Sequence, residues 1–180
     1  MGGATVVNFE IELSDVDRGV YETLSLKAAQ HPSETPGYLV ARVLAFALEH
    51  TEGIAFTNGL FSGDEPALWV HDLTGHLTAW IEVGDPTAER LHKASKSADR
   101  VAVYCHKDPS PWLRNLVGSR VHQSRYIQLY ALPVDAVGAL AAGLKRRNQW
   151  SLSRVDGVIY VETETEAVTL TLTALAWPSG

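Results

Sequence analysis

Leu77-Thr78-Ala79-Trp80-Ile81-Glu82-Val83-Gly84-Asp85-Pro86 is the stretch on which the fold turns. Its first seven residues are rich in aromatic and branched side chains and too few for a helix, so they read as a largely buried strand stopped by Gly84. Asp85 and Pro86 then stand in the order of a helix cap and a first helical residue. The helix expected there turns Leu91, Ala94, Ser95 and Ala98 to the core. Residues 100–105 read as the next strand, 111–117 as a short helix, 126–132 as a strand and 134–144 as an Ala-rich helix. Alternation of this kind points to an α/β fold, a mixed central sheet flanked by helices.

Both ends of the chain carry a different pattern. From residue 5 to 13, Val7, Phe9, Ile11 and Leu13 alternate with Asn8, Glu10 and Glu12, the period of two of a half-buried strand. A turn at 14–19 leads to a second strand at 20–28, giving a hairpin. At the other end, 150–155 and 158–161 flank Asp156-Gly157, a hairpin turn pair, and 168–174 alternates with Thr as a final strand. Between these, Ser33 or Thr35 caps a helix with Pro36 in its first turn and a broad apolar stripe through Leu39, Val43, Leu44, Phe46 and Ala47, ending near Gly53. Residues 56–69 read as loop-rich.

Bulk properties fit one domain spanning residues 1–180, since 46% of the chain is apolar and 20% charged. The single cysteine, Cys105, permits no internal disulfide, the N-terminus lacks the features of a signal peptide, and no stretch is long and apolar enough for a membrane span; a cytoplasmic location away from any membrane is expected. GxxxxGK[ST], GxGxxG, GxSxG and HExxH are all missing from the sequence, which disfavours a P-loop, a Rossmann cofactor, a serine hydrolase and a zincin. The net charge of −6 is unevenly spread: −11 over residues 1–89, +9 over 90–155 and −4 over 156–180. The positive middle third is a candidate surface for nucleic acid, with Arg114, Arg120, Arg125, Lys145, Arg146 and Arg147 its principal cations; intermixing of the signs in the fold is the alternative.

The group of residues that carries chemistry is acidic. Asp64-Glu65-Pro66 precedes Trp69, and Glu82 ends the central strand. Carboxylates at neighbouring strand ends can hold one hard cation, Mg²⁺ or Mn²⁺, which activates water and neutralises charge on a phosphodiester. Asp64, Glu65 and Glu82 are thus the candidate metal ligands, and Glu82, Lys93 and Lys96 the candidate catalytic groups. The same residues also read as a turn, a strand-end pair and an ordinary helical Glu89–Lys93 pair.

Several short motifs in order resemble the YaeQ family. They are His31-Pro32-Ser33-Glu34-Thr35, Arg42 with Leu44-Ala45-Phe46, Phe56-Thr57 with Gly59-Leu60, and Asp64-Glu65-Pro66 with Leu68-Trp69. Trp80-Ile81-Glu82-Val83-Gly84 with Pro86, Arg90 and Lys93-Ala94 follows, then Leu172-Thr173-Ala174 with Trp177, so the likeness covers nearly the whole chain. The resemblance implies a restriction-endonuclease-like, PD-(D/E)XK type of core. Carried over, Asp64 and Glu65-Pro66 occupy the first-acid region, Glu82 is the second acid and Lys93 a lysine displaced onto the helix. Ala67 stands where the superfamily motif has Asp, and Gly84 where it has Lys. The function expected is therefore a nuclease-like protein with a Mg²⁺-binding acidic site and weak or absent nuclease activity, with a metal-dependent phosphodiesterase acting on nucleic acid as the alternative. Ser33, Glu34 and Arg42 belong to the same pattern and also read as a structural ion-pair network.

Overall fold

Residues 3–58 and 63–179 are described in a computed structural model of the chain; Gly59-Leu60 of the motif series lie outside them. The alternating pattern at the start forms β1 (Thr5–Asp15), which pairs antiparallel with β2 (Val20–Gln30) along its full length. Val7, Phe9, Ile11 and Leu13 are buried, as the period of two requires. Thr35 is the cap of α1 (Pro36–Leu48), its hydroxyl accepting from the Tyr38 amide at 3.1 Å. The next elements are β3 (Ile54–Phe56), β4 (Leu68–His71), β5 (Leu77–Val83), α2 (Ala88–Ser97) and β6 (Arg100–Cys105). They are followed by α3 (Ser110–Leu116), β7 (Gln128–Ala131), α4 (Val134–Ala142), β8 (Arg147–Val155), β9 (Val158–Glu162), β10 (Ala167–Thr171) and β11 (Thr173–Leu175).

The mixed α/β class expected from the sequence is the one found, with the strands divided between two mixed sheets. One has the order β10-β9-β8-β1-β2 and the other β11-β7-β6-β5-β4-β3. The terminal hairpins join each other, because β8 lies parallel to β1 from Asn8↔Arg147 to Asp15↔Arg154. In the second sheet β5, β6 and β7 run parallel, so their C-terminal ends share one edge.

Helix α1 lies between the sheets, and its residues Leu39 to Leu48 are all buried. One apolar cluster joins Phe9, Ile11 and Trp150 of the first sheet, α1, and Ile81, Val83, Ala102 and Tyr104 of the second. On the far side of the second sheet, Trp80, Val101, Val103, Cys105 and Leu129 pack against Leu91 and Ala94 of α2 and Trp112 and Leu116 of α3. Cys105 is thus a buried apolar residue. Among the described residues no helix is long and apolar enough to cross a membrane.

Four details differ from the sequence reading. Strands β3 and β4 lie in and beside the stretch taken as loop; at three and four residues they are too short for a period to register. Their approach fixes Gly53, whose φ is +90° and whose Cβ would stand 2.0 Å from the His71 carbonyl oxygen. Helix α1 ends at Leu48, short of Gly53. The cap of α2 is Thr87, whose hydroxyl accepts from the Arg90 amide at 3.2 Å, so Asp85 and Pro86 precede the helix. Finally, the strand expected at 168–174 breaks at Leu172, β10 pairing with β9 and β11 with β7.

Candidate functional site

Alternation along β5 sends Ala79, Ile81 and Val83 toward α1, and Trp80 and Glu82 toward α2. Glu82 is only 4% exposed, so its carboxylate needs donors there. It has two. Trp80 Nε1 donates to Oε1 at 2.8 Å and Arg90 Nε donates to Oε2 at 2.6 Å. The Thr87 cap sets Arg90 in the first turn of α2, from which its guanidinium also reaches back across the turn. There Nη1 donates to the Gly63 carbonyl at 2.6 Å and Nη2 to that of Glu65. Burial alone would lower the Arg90 pKa, but the hydrogen bond and charge of Glu82 outweigh it and hold the guanidinium above its ordinary value.

A cavity of about 270 Å³ opens beside this pair, lined by Tyr38, Glu65, Pro66, Glu82, Asp85 and Arg90 among others. Burial first, and the charge of Glu82 second, push the Tyr38 phenol up to about 12. The cavity stands where β5 ends and α2 begins, at the C-terminal edge of the parallel strands, the usual place for ligands in α/β sheets. Gly84 closes the strand with φ +102° and its amide donates to the Tyr104 carbonyl at 2.9 Å. A side chain there would be strained whatever its chemistry.

The other sequence-predicted residues are placed as follows. Asp64 has a side chain 90% exposed and meets Lys93 Nζ at 3.3 Å, on the surface. The Glu65 carboxylate accepts from the Asn58 amide at 2.9 Å. Lys96 is exposed in the last turn of α2, and Ala67 is buried. Glu34 and Arg42, both buried, form a bidentate pair, Arg42 Nε to Oε2 at 2.9 Å and Nη2 to Oε1 at 3.0 Å. Ser33 Oγ lies 2.7 Å from His31 Nδ1. Among the described residues, no three His, Cys, Asp or Glu side chains gather as a metal would need. As placed, the three candidate carboxylates do not fit Mg²⁺ or Mn²⁺, because the buried one is already paired to a guanidinium and the other two meet the Asn58 amide and Lys93.

Arg90 is the residue that sequence reasoning assigned no role. The signal available was its place eight residues after Glu82, just across a strand-to-helix turn.

The basic middle segment is partly neutralised in the fold. Arg90, Lys93, Arg100, Lys145 and Arg154 each meet a carboxylate, of Glu82, Asp64, Glu49, Glu164 and Asp15 respectively. Arg146 and Arg147, with Lys145, lie at the start of β8 in the first sheet. Arg114, Arg120 and Arg125 lie on α3 and the segment after it, beside the second sheet, so the two groups of cations do not form one face.

A protein-family model described as "YaeQ protein" matches residues 2–172. The Escherichia coli (strain K12) protein named "Uncharacterized protein YaeQ" is 29% identical over 179 residues, 98% of each chain. The crystal structure of YaeQ protein from Xanthomonas axonopodis pv. citri superposes with a TM-score of 0.86 at 34% identity, over 97% of this chain and 99% of that one. That of YaeQ protein from Pseudomonas syringae gives 0.88 at 32% identity, over 96% of each. A family match over almost all of the chain, together with the same fold in two YaeQ crystal structures, shows that this chain belongs to the YaeQ family.

Proposed function

We propose that this chain is a nucleic-acid-binding module on a nuclease-like core, with little or no hydrolytic turnover. The observation that carries the reading is the Glu82–Arg90 contact at 2.6 Å, which sets a protein cation against the buried acid near the end of β5. Phosphodiester hydrolysis of the metal-assisted kind needs carboxylates free to hold an ion and a cation placed where phosphate charge develops. Here Ala67 supplies no acid and Gly84 no lysine, while Lys93 is turned to the surface beside Asp64. Loss of one such electrostatic group costs about 3 kcal/mol, or roughly 10²-fold or more, so two independent losses reduce turnover by about 10⁴-fold.

The rival reading, a Mg²⁺- or Mn²⁺-dependent phosphodiesterase, requires Arg90 to leave Glu82 when metal and substrate arrive. Incubation of the pure protein with mixed DNA and RNA in Mg²⁺ or Mn²⁺, beside Glu82→Gln, separates the two. The expected result is no metal-dependent cleavage above background by either. Robust cleavage by the parent protein that Glu82→Gln abolishes would overturn the proposal and restore the enzyme.

A further inference from the structure

Residues 109–134 contain no Asp or Glu, although one residue in five of the chain is charged. Within that run Trp112, Leu116 and Ile127 are buried against the second sheet, with Leu113 and Val121 packed beside them. The polar residues are left outside. Arg114, Arg120, His122, Arg125 and Tyr126 are all exposed. Among the described residues, none of the three arginines has a carboxylate within ion-pair distance, in contrast to Arg90, Arg100 and Arg154. Tyr126 is 62% exposed, and the Arg125 guanidinium lies over its ring at 4.8 Å.

The segment is held in place by α2. The His122 amide donates to His92 Nδ1 at 3.0 Å, and Ser95 Oγ donates to the His122 carbonyl at 2.5 Å. His92 also lines a cavity of about 460 Å³ that shares Gly63 and Arg90 with the Glu82 cavity. The basic surface and the acidic site are therefore linked through His92.

We infer that this surface binds single-stranded nucleic acid, its arginines on the phosphates and Tyr126 as a stacking platform for an unpaired base. Three exposed arginines with no ion-pair contact among the described residues complement a phosphate backbone, and their forked donors suit phosphate oxygens. An aromatic ring held on one side by a guanidinium and open to solvent is what a base without a partner can stack on, and a base inside a duplex cannot. The inference rests on the binding-module reading and adds to it the partner and the surface.

Fluorescence anisotropy with a labelled oligo-dT, with the DNA examined on a gel after each titration in Mg²⁺, tests it. Three contacted phosphates give a slope of log affinity against log salt of roughly −2. Arg114→Gln/Arg120→Gln/Arg125→Gln flattens that slope toward zero, and Tyr126→Ala weakens binding by roughly tenfold with little change of slope. All four positions are exposed, so folding is checked by an unchanged circular dichroism melt. Binding that ignores both variants, equal affinity for a duplex of the same length, or equal affinity for poly-glutamate would each overturn the inference. Intact DNA in those cases leaves the binding-module reading in place. DNA bound as described but cut in a Glu82-dependent way overturns that reading and leaves the surface standing.

Discussion

Replacing Arg42 by Met leaves Glu34 buried and without its countercharge. In the parent protein the two side chains are 5% and 3% exposed, joined by two hydrogen bonds, with Arg42 Nη2 also donating to the Ala29 carbonyl at 3.1 Å. Removing one partner of such a pair costs about 3–5 kcal/mol, because a carboxylate stays behind in a place water does not reach. At about 2–4 °C of melting temperature per kcal/mol for a domain of this size, the expected drop is roughly 6–20 °C at neutral pH.

The cost depends on pH in a definite direction. Burial already outweighs Arg42 and holds the Glu34 carboxyl above its ordinary value. A group raised in the folded state contributes stability that is whole below its unfolded pKa and is lost as pH rises through the folded one. Taking Arg42 away removes the largest lowering influence, so the deficit widens toward neutral pH and shrinks in acid. Asp15 and Glu49 lose stability in acid, since Arg154 and Arg18 hold Asp15 low and Arg100 and Tyr104 hold Glu49 low, in each case against burial. They do so in parent and variant alike, and their contribution cancels in the difference. Thermal melts at about pH 4 and about pH 7.5 read this directly, and Glu34→Gln/Arg42→Met, which leaves no charge at this pair, recovers much of the loss. A deficit under about 1 kcal/mol at neutral pH, or one equal at both pH values, would refute the assignment of this pair to the buried core.

Two further outcomes are expected. Gly84→Lys, which restores the in-strand lysine of the superfamily motif, lowers the melting temperature through roughly 1–3 kcal/mol of backbone strain at φ +102° and produces no cleavage; cleavage gained at an unchanged melt would contradict it. The Tyr38 phenol, pushed up to about 12, stays protonated at about pH 10.5, so the ultraviolet difference between parent and Tyr38→Phe shows no phenolate there; a full phenolate contribution would mean that Tyr38 is not half-buried beside Glu82.

What was legible in the sequence was what local chemistry decides. The period of two gave β1, the turn after it gave β2, the broad stripe behind Thr35 gave α1, and Leu77 to Val83 gave the central strand. What was not legible depends on contacts between distant residues. No residue of β1 says that β8, about 140 positions later, will lie parallel beside it. The alternation of Val168 to Ala174 runs unbroken through Leu172, although the chain leaves one sheet for the other there. Glu82 was found because an acid in an oily strand is conspicuous. Its partner was missed because Arg90 sits among other charges on an amphipathic helix, and only the three-dimensional turn between Gly84 and Thr87 shows that it faces inward.

That partner changes what the acidic site is. Oxygen atoms do converge there: Glu82 Oε2, the Gly63 carbonyl and the Glu65 carbonyl, the last two from the segment just before β4. A hard cation held by this set would be an oxygen-coordinated ion, and the same geometry here encloses a guanidinium carried by the chain itself. The consequence is mechanical as well as electrostatic. Arg90 ties the backbone at 63–65 to α2, while the carboxylates of Asp64 and Glu65 meet Lys93 and the Asn58 amide. Freeing the carboxylates for a metal therefore means undoing three hydrogen bonds of one arginine together, two of them partly buried. The charge on Arg90 is fixed at every physiological pH, so no proton transfer can release them. Only a ligand that competes for the guanidinium, and a phosphate is the natural one for its forked donors, can do so.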